Sequence, residues 1–187
     1  MSYTFNHLRQ ENFLDYIIRH KEWGFHTFGS PDDGRNSLGP LDHLKKEIVE
    51  IESGDDDIME WIDLAILSFD GLLRSQTPND KQSMVNVMTA AVGMCPPPML
   101  AGMIIMPVSN LVAVKTAVAQ VESDPMNAAC WVRLCATVLT AFASVHDITE
   151  LLPKLFEKQA KNALRVWPDW RNVPVGQAIE HVKGVHD

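Results

Sequence analysis

Between residues 40 and 74 the chain reads PLDHLKKEIVEIESGDDDIMEWIDLAILSFDGLLR, two apolar helical patterns either side of a short polar turn. In the first, Leu41, Leu44, Ile48 and Ile51 recur at spacings of 3, 4 and 3, an apolar seam one helix face wide. Gly39-Pro40 opens it, proline suiting a first helical turn, and Ser53-Gly54 closes it, glycine being the usual left-handed cap. The second pattern starts at the aspartates and runs to about Arg74, with apolar residues on nearly every side: Ile58, Met59, Trp61, Ile62, Leu64, Ala65, Ile66, Leu67, Phe69, Leu72 and Leu73. So short a connection makes the pair an antiparallel hairpin. The rest of the fold must then cover a helix that has almost no polar face of its own.

The flanking sequence supplies further helices. Residues 5–22 predict an opening amphipathic helix with Leu8, Phe13, Leu14, Ile17 and Ile18 inward, and WGFHTFGSPDDGRNSLGP, with four Gly and two Pro, predicts a loop. Helical patterns return over about 84–94, 111–121 and 126–145, the last opened by Asp124-Pro125 as N-cap and first turn. A basic helix covers about 149–166 and ends before Trp167-Pro168, leaving RNVPVGQAIEHVKGVHD as a short peripheral tail. At 187 residues the chain can form one domain with a real core. The expected fold is a single all-α helical bundle over 1–187, with the hairpin at about 40–74, an extra helical region at about 80–145 and the basic helix behind it.

Charge narrows the function classes. A net charge of −8, from 24 acidic against 16 basic residues, argues against nucleic-acid binding, which needs clustered Lys and Arg. It leaves free nucleotides open, since a divalent metal can bring a polyphosphate to an acidic site. The three cysteines, Cys95, Cys130 and Cys135, lack CxxC spacing and read as reduced thiols of a cytoplasmic protein. The N-terminus has no apolar signal-peptide core. The apolar stretch Val85–Met106 is cut by Pro96-Pro97-Pro98, so it reads as core or interface and not as a membrane span.

Residues 46–63 carry eight of the acidic residues. At about 100° per residue, His43, Glu47 and Glu50 fall within roughly 60° of one another beside the apolar seam. On the second helix Glu60 and Asp63 share one narrow face with Asp70 and Arg74. Carboxylates on a helix that is otherwise apolar must point into the protein or into a cleft, where unpaired charge is costly. Mg²⁺ or Mn²⁺ is a ready compensator, and i, i+3 carboxylates on two facing helices can offer it four oxygen ligands. Asp55–Asp57 read instead as helix-start residues, Asp57 and Glu60 also spell a capping box, and Glu52 reads as rim. Lys154, Lys158, Lys161 and Arg165 recur at 4, 3 and 4, with Asn162 at the edge of the stripe. Such a stripe is either a solvated face or a phosphate-binding one.

The pattern Glu47-x-x-Glu50, a short gap, then Glu60-x-x-Asp63 resembles the signature of the all-α NTP pyrophosphatases, the MazG-like superfamily. WGFHTFG, GPLDHLKKEIVEIE, EWIDLAILSFDGLLR and KQAKNALRVWPDWR are similar to its phage and prophage dATP/dGTP pyrophosphohydrolase branch, which includes the MazZ-type enzymes. The likeness covers about residues 20–75 and 154–171. It implies hydrolysis of a deoxynucleoside triphosphate, purine-directed, between the α and β phosphorus atoms. By position, Glu47, Glu50, Glu60 and Asp63 would hold Mg²⁺ or Mn²⁺, with Glu47 or Glu50 accepting the proton of the attacking water. Lys158, Asn162 and Arg165 match the family's K-x-x-x-N-x-x-R and would bind phosphate. His43 and Lys46 would contact phosphate or support a carboxylate. Trp23, with His26 and Phe28, is a candidate for stacking on the base, as are Trp167 and Trp170. The resemblance further implies a homodimer or homotetramer, no nucleic-acid or membrane partner, and a place in a host cytoplasm. A related hydrolase of dUTP, dCTP or a damaged nucleotide, and a non-enzymatic helical adaptor, are the competing readings.

Overall fold

The computed structural model describes residues 10–54, 57–75 and 110–184. They form six α-helices: α1 (Gln10–Phe28), α2 (Leu38–Glu52), α3 (Ile58–Ser75), α4 (Asn110–Ser123), α5 (Ala128–Val145) and α6 (Leu151–Leu164). Three short 3-10 turns, Pro31–Asp33, Ile148–Glu150 and Trp170–Asn172, join or follow them. There is no strand among the described residues, as the all-α reading expected. Leu8, the pattern at 84–94 and the apolar stretch 85–106 lie outside the described residues.

The hairpin forms as its sequence demands, and α3 becomes the hub of the fold. It packs on α2, α5, α6 and α1, because residues on nearly all its faces need cover: Ile62, Leu64, Phe69 and Leu72 are fully buried. Burying a side chain of this size contributes about 1.5–3 kcal/mol. From the other side α5 brings Trp131, Leu134, Val138, Leu139 and Phe142, all fully buried. The approach of α3 and α5 depends on Gly71, where an added Cβ would stand 2.1 Å from a ring carbon of Trp131. Helix α5 is long and apolar enough to cross a membrane, but here that apolar face lies against α3 and α4. On the outside of the bundle, α4 is tied to α2 by Lys115–Glu52 and Lys45–Glu122, so Glu52 is indeed a rim residue. Of the three cysteines, Cys130 and Cys135 fall within the described residues, and the two are reduced and not joined by a disulfide.

Three expectations are corrected. Helix α1 does not stop near residue 22 but continues through WGFHTF to Phe28. Gly24 does not break the helix: it is buried where α1 meets α3, and a Cβ added there would stand 3.9 Å from Asp70 Oδ1. The true stop is Gly29, at φ 77°, the left-handed position that favours glycine. The N-cap of α5 is Asn127, whose side chain accepts from Ala129 N at 3.0 Å, and not Asp124. The tail after Trp170 is not peripheral: Ile179 is buried, and the segment is anchored on α2, as described below.

Candidate metal and nucleotide site

A cavity of about 370 Å³ opens between α1, the α2–α3 hairpin, the end of α6 and the tail, within the size range of small-molecule sites. One end of it is acidic. Glu47 from α2 and Glu60 and Asp63 from α3 bring carboxylate oxygens within 4.8 Å of one another. Glu47 is in place because the apolar seam of α2 lies on α3, which turns the adjacent face towards the cavity. Its Oε1 accepts from His43 Nε2 at 2.9 Å, one turn earlier on the same helix. Asp63 Oδ2 accepts from Lys158 Nζ at 2.5 Å, an ion pair that crosses from α3 to α6.

The crowding shows in the protonation. Burial raises the Glu60 carboxyl first, Glu47 and Asp63 raise it further, and it is pushed up to about 7. Burial likewise lifts Asp63 to about 6, although Lys158 pulls it back. Burial also works against the charge on Glu47, but the His43 hydrogen bond and its positive field outweigh it and hold this carboxyl below its ordinary value. Glu60 Oε2 is buried with no hydrogen-bond partner among the described residues. A group of oxygen donors with one buried oxygen unsatisfied fits a hard divalent cation. Binding one would displace the proton that Glu60 holds near neutrality.

The other residues singled out in the sequence divide. Glu50 lines the cavity but stands exposed at its rim, outside the close group of three. The capping box of Asp57 with Glu60 does not account for Glu60, whose side chain turns to Glu47. Asp70 is neutralised within its own helix by Arg74, Nε to Oδ2 2.9 Å. Arg74 also donates to the carbonyls of Gly29 (2.7 Å), Arg35 (3.2 Å) and Gly24 (3.4 Å), tying the loop after α1 to α3.

The basic stripe is only partly a cavity wall. Lys158, Asn162 and Arg165 line the cavity, whereas Lys154 pairs with Glu157 and Lys161 is exposed. Helix α6 ends at Leu164, so Arg165 lies beyond it with extended backbone, its Nη1 donating to Asn162 Oδ1 at 2.9 Å. Lys46 reaches Glu180 in the tail at 2.5 Å and so braces the wall. Trp23 lines the cavity at the end away from the carboxylates, edge-on to Phe28 (5.2 Å between centroids) and to Trp167 (6.1 Å). His26 is exposed and off the wall, and Trp170 packs against Gly29 and Arg171.

Sequence reasoning missed the tail and its clamp. Arg35 Nη1 donates to Val173 O (2.9 Å) and Pro174 O (3.2 Å), and Asp42 Oδ2 accepts from Ala178 N (3.0 Å). These bonds bring Gln177, Ile179, Glu180, His181 and Lys183 to the cavity. An Arg and an Asp in an apparently structureless loop and helix start carried no periodic signal that could have announced it.

A profile of the dATP/dGTP pyrophosphohydrolase family matches residues 16–91. That segment, under half of the chain, is similar to the family. It takes in α1 from residue 16 on, α2 and α3 with all three clustered carboxylates, while Lys158, Asn162, Arg165 and the tail lie beyond it and reach the same cavity through the fold. No curated protein and no solved structure matches the chain.

Proposed function

We propose that the protein hydrolyses deoxypurine nucleoside triphosphates, dATP or dGTP, to the monophosphate and pyrophosphate, with Mg²⁺ or Mn²⁺ as cofactor. The observation that carries this reading is the arrangement of one cavity. The Glu47–Glu60–Asp63 carboxylates of a pyrophosphohydrolase-matched hairpin face Lys158 and Asn162 of α6 and Arg165 just after it. Carboxylates alone would repel a triphosphate; carboxylates with a cation between them and a basic wall opposite accept one.

Glu47, Glu60 and Asp63 would hold the metal, and Glu50, one helical turn beyond Glu47, would reach in from the rim as a fourth ligand or act as base. When bound, the cation would acidify water and offset charge on the phosphate oxygens. The chain's own residues do the rest. His43 fixes the orientation of Glu47. Lys158 positions Asp63 and presents positive charge to the phosphates, and Asn162 holds Arg165 towards the same space. The water's oxygen forms a bond to the α phosphorus as the bond to the bridging α–β oxygen breaks. Pyrophosphate leaves, and the water's proton passes to a carboxylate. Between the two candidate bases, Glu50 is open to solvent and Glu47 is held by His43, so Glu50 is the better placed.

The pairing of Lys158 with Asp63 supports the reading that the basic helix serves the metal cluster of its own chain. The homodimer or homotetramer implied by the family likeness is a separate matter, read by light scattering. Free nucleotides are the proposed substrates, so we place the activity in the cytoplasm, with a phage or prophage source following only from the likeness. The test is a chromatographic product assay across the four dNTPs and dUTP, with and without Mn²⁺. Pyrophosphate release from dATP or dGTP that depends on metal is expected, and no release from any triphosphate overturns the reading.

A further inference from the structure

The residues above account for the phosphate end of the cavity and leave its other end without an assigned role. Tyr16 and Phe156 pack edge to face, and further along Trp23 meets Trp167. Helices α1 and α6 therefore run side by side from the carboxylates to an aromatic end. Between these points, on the cavity wall, sits His20. It is 3% exposed, and its Nε2 is buried with no hydrogen-bond partner among the described residues. A buried polar nitrogen left unpaired is costly, and this one belongs to a side chain that borders the ligand space. Its ring is not loose: it stacks on Tyr16 with centroids 5.8 Å apart and planes 14° from parallel, and it leans on Trp23.

We propose that His20 reads the nucleoside half of the substrate, its Nε2 hydrogen-bonding a sugar hydroxyl or a polar edge of the base while Trp23 and Trp167 flank the ring system. The proposal rests on the nucleotide reading above and deepens it. Burial, first of all, holds the imidazole below its ordinary pKa, with Arg74 acting in the same direction and Asp70 opposing. A neutral imidazole offers one donor and one acceptor, which suits an uncharged nucleoside edge and not a phosphate. Asp70 is not a competitor for the ligand, because Arg74 occupies both its oxygens at 3.0 and 2.9 Å.

The experiment compares wild type with His20→Phe, which keeps a ring on Tyr16 without a nitrogen, and His20→Gln, which restores a polar atom near the Nε2 position. Each is assayed with Mn²⁺ on dATP, on 2′,3′-dideoxyATP, which lacks the sugar hydroxyl, and on the deoxynucleoside triphosphate of unsubstituted purine, which lacks the amino group. Inhibition by tripolyphosphate serves as the phosphate-only control. His20→Phe should raise KM for dATP roughly tenfold, the cost of one unpaired polar contact in a desolvated site. Tripolyphosphate inhibition should stay unchanged and His20→Gln should recover most of the loss. The analogue that is not further penalised by His20→Phe identifies the contacted atom. A KM for dATP within twofold of wild type, equal weakening of tripolyphosphate, or a full penalty on both analogues overturns the proposal. Those results would mean that an internal water satisfies Nε2. If wild type hydrolyses nothing, the enzymatic reading fails separately. The proposal is then decided by tryptophan fluorescence: deoxyadenosine monophosphate should quench wild type and not His20→Phe, and equal quenching overturns it.

Discussion

Asp63→Asn should make the metal-free protein more stable while removing its activity. Lifting Asp63 from 3.8 to about 6 sets its ionisation against the fold by about 3 kcal/mol, at about 1.4 kcal/mol per pH unit. An amide of the same shape removes that penalty, and Lys158, whose carboxylate partner becomes a neutral amide oxygen, takes back about 1 kcal/mol. A net gain of about 2 kcal/mol corresponds to a rise in Tm of about 4–8 °C for a chain of this size. The direction with pH follows from linkage. A carboxyl whose folded pKa is raised binds its proton more tightly in the folded state, so stability is fully present below the unfolded value near 4. It drains away as pH rises through about 6. Glu60, raised to about 7, extends the loss towards neutrality.

Thermal unfolding of the metal-free protein from pH 4.5 to 8 should therefore show wild type weakening towards the upper end and Asp63→Asn weakening less. The two curves should be furthest apart at pH 7.5–8. Added Mn²⁺ should reverse the difference at pH 7.5, because a cation bound only by the folded state stabilises it by about 2.7 kcal/mol at a hundredfold excess over Kd, and the variant has lost a ligand. A wild type whose Tm is flat from pH 4.5 to 8, or an Asn variant less stable than wild type without metal at pH 7.5, would refute the idea that this cluster holds uncompensated charge.

Three further outcomes are expected. Glu47→Gln should cut turnover at least a hundredfold with little change in Tm, and Glu50→Gln should lower metal affinity less than Glu47→Gln does. Kinetics over a Mn²⁺ titration separates these effects, and equal losses would place Glu50 inside the cluster. Gly71→Ala should destabilise by at least about 1–3 kcal/mol, because its methyl group would fall 2.1 Å from the Trp131 ring; denaturant unfolding measures this, and a neutral result would mean that α3 and α5 are not in contact as described. Arg35→Ala should free the tail from its two carbonyl contacts and raise KM several-fold with kcat less affected, whereas an unchanged KM would remove the tail from the site.

The hairpin was legible because two strong signals agreed, an apolar period of 3 and 4 and a turn too short for anything but antiparallel helices. What periodicity could not show is where glycine is tolerated. Gly24 and Gly29 look alike in sequence, yet one is packed inside α1 next to α3 and the other ends that helix at φ 77°. The tail was illegible for a different reason. Its described residues form no α-helix, and its place is fixed by side chains donating to its carbonyls and accepting from its amides, interactions that leave no spacing in the text. Arg35 and Asp42 could be seen, but their partners 138 and 136 residues away could not.

Helix α3 shows how far a sequence face can be read as chemistry. Glu60, Asp63, Asp70 and Arg74 share that face, and the register alone makes three acids and one base. The fold then separates their fates. Arg74 lies one turn from Asp70 and closes on it, so this pair becomes a buried clamp for the end of α1 and the loop Gly29–Arg35 and carries no free charge into the cavity. Glu60 and Asp63 have no base within a turn of them on their own helix, since Arg74 is taken by Asp70, and α2 adds Glu47 beside them instead of a cation. Among the described residues, Lys158, arriving from α6, and the His43 contact to Glu47 stand against three carboxyls. Burial first, and that shortfall after it, raise Glu60 and Asp63 above their ordinary values. A group built this way is poor at stabilising the metal-free fold, and an arrangement that costs stability without a cation is what a cation-binding site should look like before the ion arrives.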